Sequence, residues 1–133
     1  MRILFPFACG ATRLDRLRRR LLAAGLGFAA LPKLAMAGEA LADPSSYRQH
    51  LARLGPGQRL LLAPGVYERG LPVHGITGTR EAPIVIEAAD PAHPPVFLAR
   101  AGHNTVSLVD CAWMVLRHLV LDGRGLGVDA VKA

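Results

Sequence analysis

Hydrophobic residues are arranged in three different ways along the chain. Leu21 to Leu31 reads LLAAGLGFAAL and is apolar without a break. Tyr47, Leu51 and Leu54 fall at i, i+4 and i+7, the spacing that gives a helix one apolar stripe, with Arg48, Gln49, His50 and Arg53 facing elsewhere. Asp43-Pro44-Ser45-Ser46 supplies capping side chains and a Pro suited to a first helical turn, and Gly55-Pro56-Gly57 supplies a stop. After Gly57 the pattern changes to short runs, RLLL, LPVH, PIVIEA, PVFLA, TVSLVD and WMVLRHLVL, separated by Gly and Pro turns. Such runs read as strands of about 3 to 6 residues. One short helix over Tyr47 to Leu54 and an all-β remainder are therefore expected.

The apolar pairs also recur. Leu60/Leu62 is followed by Ile84/Ile86, Val106/Leu108 and Val128/Ala130, while Val73 leads to Val96/Leu98 and then Leu119/Leu121, all at steps of 22 to 24 residues. A β-sandwich gives no reason for such an echo, whereas one circuit of a parallel β-helix with three short sheets needs about that length. Each circuit then stacks about 4.8 Å from the last, with i and i+2 pointing inward and Leu61, Val85, Ser107 and Asp129 pointing out. Met114/Leu116 has no clean earlier equivalent, which leaves the third sheet inferred from fewer residues. The amphipathic helix is the expected N-terminal cap, since a solenoid end exposes apolar core and unpaired edges. About three to four coils are expected, with no cap after Val131, so the coils read as a truncated or partial array.

Charge divides the chain at the same boundary as the first apolar run. Residues 1 to 37 hold seven basic residues and one acidic, whereas the remainder holds nine of each. The net charge of +6 thus belongs to a leader, and nucleic-acid binding loses the clustered basic surface it needs. An arginine cluster, an apolar core too short for a membrane span and Ala35-Met36-Ala37 form the three-part layout of an export signal. Ala40-Leu41-Ala42 is a second candidate cleavage site. Arg18-Arg19-Arg20-Leu21-Leu22 resembles a twin-arginine signal, with Arg18, Arg19, Leu21 and Leu22 as its core and Ala35 and Ala37 as the cleavage pair. Leu17 and Ala23 depart from that pattern, and ordinary secretion is the alternative. Residues 1–37 are read as leader, 38–57 as linker and capping helix, and 58–133 as coils of a periplasmic or secreted protein whose partner at the leader is the export machinery.

Pro56-Gly57-Gln58 before Leu60-Leu61-Leu62, then Pro64-Gly65-Val66-Tyr67-Glu68, resembles the opening coil of right-handed parallel β-helix proteins of the pectate-lyase-like class. Gly78-Thr79 with Ala82-Pro83-Ile84-Val85-Ile86-Glu87-Ala88 is similar to their second coil, and Trp113 to Gly123 to their third. The order of motifs resembles the alginate lyase and chondroitinase B-like branch. That resemblance implies an exported protein related to polysaccharide lyases, acting on acidic polysaccharide by β-elimination. There a base removes the proton α to a uronate carboxylate, which a cation or Arg neutralises. It implies no catalytic, cofactor or metal residue in this chain, because the family's catalytic coils lie further along; calcium is the cation it allows in a longer protein. A non-enzymatic carbohydrate-binding or surface β-helix is the second reading, and a short chain that oligomerises through its open coil the third.

The remaining chemistry is sparse. Asp122, Asp129 and Lys132 lie near one another in sequence, yet Asp122-Gly123 reads as a turn and Asp129 as an outward strand residue. His74, His93, His103 and His118 lack metal-ligand spacing. Cys111 beside Ala112 and Trp113 reads as a small buried hydrophobe. Gly123-Arg124-Gly125-Leu126-Gly127 lacks the following helix and Lys-Ser/Thr of a phosphate loop and reads as a turn. Arg69, Arg100, Arg117 and Arg124 form a sugar-binding face if neighbouring coils stack them; solvated charge is the ordinary alternative.

Overall fold

The computed structural model describes residues 2–5, as backbone, and 38–133. The signal residues Arg18, Arg19, Leu21, Leu22, Ala35 and Ala37 lie outside the described residues. Strand β1 (Arg2–Phe5) is followed by β2 (Glu39–Ala42), helix α1 (Tyr47–Leu51), β3 (Arg59–Leu62), β4 (Val66–Tyr67) and β5 (Leu71–His74). Next come β6 (Ile84–Ala88), β7 (Val96–Leu98), β8 (Val106–Val109), β9 (Met114–Asp122) and β10 (Val131–Lys132). The domain is all-β apart from α1, built on a strongly curled, nearly closed parallel sheet with a second, three-stranded sheet beside it.

Three parallel ladders account for the sheets. The first runs β2, β3, β6 and the N-terminal half of β9; the second runs β4, β7 and the C-terminal half of β9; the third runs β5, β8 and β10. The chain visits the ladders in that order and then returns to the first. β9 serves two ladders because it turns a corner at His118, whose φ is 56°. A left-handed conformation at a non-Gly residue redirects an extended chain at a cost of about 1–2 kcal/mol.

Strand alternation dictates the core. Leu60, Leu62, Ile84 and Ile86 of the first ladder, Tyr67 and Phe97 of the second, and Val73 and Val106 of the third are essentially inaccessible. Tyr47 of α1 stands at the top of this core, its ring edge-on to Tyr67 at 5.1 Å, and Tyr67 packs on Phe97 at 4.7 Å. The Tyr47 hydroxyl donates to the Gly70 carbonyl at 2.5 Å. Leu51 and Leu54 complete the apolar stripe, so the expected helix exists and buries the expected side chains, although its regular part ends at Leu51. Asp43 organises the approach: its Oδ1 accepts from the backbone N–H of Ser45 and Ser46 at 2.8 and 2.9 Å.

The register differs from the one read from sequence. Leu60 sits opposite Ile86 instead of Ile84, and Ile84 sits opposite Met114. Val106 belongs to the third ladder, between Leu71 and Val131, and is no rung partner of Ile84. Val73 pairs with Leu108, not with the Val96 series, and Phe97 points inward where Val96 and Leu98 were expected to. The step in residue number from one rung neighbour to the next varies widely, from 20 for Glu39 to Arg59 to 35 for Leu71 to Val106. A constant step of about 23 therefore matched strands of different ladders, and an odd error in step exchanges the two faces of a strand. Met114/Leu116, which lacked an antecedent in sequence, is the next rung after Ile84/Ile86. β2, read as linker, is a full rung before β3.

Candidate functional site

Strand alternation turns every second residue of the first ladder outward, and on that face four charges follow one another across four strands. Glu39 of β2 lies opposite Arg59 of β3, and Glu87 of β6 lies opposite Arg117 of β9. Arg59 approaches Glu39 at 3.6 Å through Nη1 and donates through Nε and Nη2 to Glu87 Oε1, the Nε bond measuring 3.1 Å. Arg117 Nε donates to Glu87 Oε2 at 2.5 Å. Glu87 is only 5% exposed although it sits on the outer face, because the two arginine stems fold over it. Burial alone pushes its carboxyl up, but the hydrogen bonds and charges of Arg117 and Arg59 outweigh that and hold it below the ordinary glutamate value. This network pairs its charges internally, so it is first a device for holding strands in register.

A second group of arginines is differently placed. Arg69 follows β4, Arg100 follows β7 and Arg124 follows β9, so all three occupy the corner leaving the second ladder on three successive passes. Leu98 lies opposite Asp122, and Ala99 N–H donates to the Asp122 carbonyl at 2.8 Å. Beyond that rung the two segments diverge, Arg100 bridging to His103 and Arg124 entering the turn closed by the Leu126 N–H to the Gly123 carbonyl. On the pass before, Tyr67 lies opposite Phe97, which brings Arg69 and Gly70 to the same corner. Arg48, Arg69 and Arg100 all act on the Tyr47 phenol: burial raises its pKa, and these three positive charges oppose the rise. Arg69, Arg100 and Arg124 are exposed, and among the described residues none makes an ion pair. Glu68 and Asp122 flank them, but Asp122 Oδ1 is engaged by the Arg124 backbone N–H at 2.9 Å.

Of the four arginines singled out in sequence, the fold thus groups three and sends Arg117 to the Glu87 network. Glu87 and Arg59 were missed there, since a charge pair 28 residues apart leaves no local signature. Asp122 forms the expected turn, and Asp129 is exposed, its carbonyl accepting from Thr105 N–H at 3.1 Å. Lys132 lies opposite Ser107 at the end of the third ladder. The four histidines singled out in sequence are dispersed and exposed: His74 Nε2 meets Ser107 Oγ at 3.2 Å, His93 pairs with Asp90 at 2.6 Å, and His118 marks the β9 corner. Cys111 is partly buried against the core. No group of three or more His, Cys, Asp or Glu fit to hold a metal ion occurs among the described residues, and no helix among them is long and apolar enough to cross a membrane. Compared with known proteins, the chain matches no family model, no curated protein and no solved structure.

Proposed function

We propose that this chain is an exported right-handed parallel β-helix protein that binds acidic polysaccharide along the arginine corner formed by Arg69, Arg100 and Arg124. The observation that carries the reading is the recurrence of an unpaired arginine at one corner on three successive passes. Each arginine follows its strand by two residues, so the three like charges lie at one end of the second ladder, where a polyanion running beside them lowers their mutual repulsion. A uronate chain presents a carboxylate at each sugar, and a guanidinium offers the planar fork that meets carboxylates bidentately. The three-ladder winding supports the β-helix, and the basic leader with its apolar run supports export to the periplasm or beyond.

The motifs in Pro56–Tyr67 and Gly78–Ala88 favour kinship with polysaccharide lyases; non-enzymatic binding is the second reading, favoured by the open, solvent-facing position of the corner. Binding is measured by affinity electrophoresis of the full chain in polygalacturonate or alginate at low salt. R69A/R100A/R124A is expected to bind about tenfold more weakly, because exposed charge pairs contribute about 0.5 kcal/mol each. Dextran, which carries no charge, should not retard the natural chain. Equal mobility of variant and natural chain in polyuronate would remove the proposal, and ultraviolet absorbance of an unsaturated uronate product would separate lyase from binder.

A further inference from the structure

β9 is the last strand of both the first and the second ladder, and its outer edge is occupied by β1. The pairing is antiparallel, with Arg2 opposite Val120, Ile3 opposite Leu119 and Phe5 opposite Leu116. The register shifts between Ile3 and Phe5, so that Arg117 and His118 both face Leu4. The extra residue coincides with the left-handed corner at His118, and one bulge lets a single strand follow β9 around its bend. A strand running against the ladder cannot continue a parallel winding, so β1 closes the edge without extending it. At the opposite end of the first ladder, β2 has a neighbour on one side only among the described strands, and its Leu41 is 65% exposed.

The two ends are complementary. Outward charges along the first ladder alternate as Glu39, Arg59, Glu87 and Arg117, so a second copy placed with its β2 against β9 would bring Glu39 to Arg117 and continue the alternation. The strands of β2 and β9 also share the direction that parallel pairing requires. We propose that β9 and β2 are the two halves of a head-to-tail interface between copies of this chain, and that β1 blocks it. Such a heterologous contact does not close on itself and grows into open stacks. A chain cleaved after Ala37 would lose β1 with its leader, which makes stacking a property of the processed form. The inference stands apart from the glycan reading, since it uses no residue of the arginine corner.

Sedimentation of the full chain at rising concentration tests it. Ile3→Pro removes an N–H and the extended geometry from β1. The I3P chain is expected to form concentration-dependent oligomers that the natural chain does not, and at dilutions where it is monomeric amide exchange at Leu116 and Leu119, whose N–H groups face β1, should be about tenfold faster. Adding Glu39→Arg sets like charges against Arg117 and should return I3P to monomer. An I3P chain that stays monomeric, or oligomers indifferent to E39R, overturns the proposal. R2C/V120C probes the blocking strand without disturbing the fold: mild oxidation should yield a disulfide between these two positions, mapped by peptide mass, and a locked monomer. Failure of that bond to form overturns the blocking role.

Discussion

Glu87 shows how one residue can be polar, outward and buried at once. Its carboxylate is held ionised by Arg59 and Arg117, and a carboxyl whose folded pKa lies below its unfolded value stabilises the fold above the unfolded pKa. That stabilisation is lost as pH falls through the ordinary glutamate range and below it. Glu87→Gln is therefore expected to lower stability near neutral pH, by about 1–2 kcal/mol given charge-assisted hydrogen bonds to half-exposed arginines, and to flatten the acid limb of a plot of urea midpoint against pH. An acid limb unchanged by the substitution would show that the network adds nothing. Gly78 makes the opposite use of small size: a Cβ there would come within 2.5 Å of the Trp113 carbonyl and 2.9 Å of Ile84 N. The Gly-Thr motif legible in sequence thus marks a place where two passes of backbone touch.

Among the elements, the strands and α1 were readable because alternation and helical stripe are local properties, whereas ladder membership is not. Leu60, Ile84 and Val106 look alike in sequence, and only the lengths of the intervening corners decide that Ile84 stacks on Met114 while Val106 stacks between Leu71 and Val131. β2 escaped notice because Glu39–Ala42 reads Glu-Ala-Leu-Ala, with small alanines at the inward positions and its one large apolar residue, Leu41, facing out. The aromatic column of Tyr47, Tyr67 and Phe97 couples α1 to two rungs of the second ladder. Burial raises the Tyr67 phenol to about 12, and its hydroxyl donates to the Ala63 carbonyl at 2.9 Å, so the ring is held at both ends. Phe97→Ala should cost about 3–5 kcal/mol in denaturant unfolding, since neighbours on both faces leave the cavity little room to collapse. A cost below 1 kcal/mol would mean that the column is not a packed unit.

At the scale of the whole molecule, stability should vary along the stack. β6 has hydrogen-bonded strands on both sides, while β10 is a two-residue, exposed terminal rung. Native-state amide exchange is expected to be slowest in Ile84–Ala88 and fastest in Val131 and Lys132, and a uniform rate across the ladders would contradict nearest-neighbour stacking. The arginine corner was partly legible, as three of the four residues named for it follow the three strands of the second ladder; the edge closed by β1 was not, because nothing in RILF marks it as the partner of a strand more than a hundred residues away. Rung neighbours separated by anything from 20 to 35 residues still pair in register. The exposed segment between β9 and β10 is therefore a site at which foreign peptide can be spliced in, displayed at a corner of the stack while the rungs on either side keep their pairing.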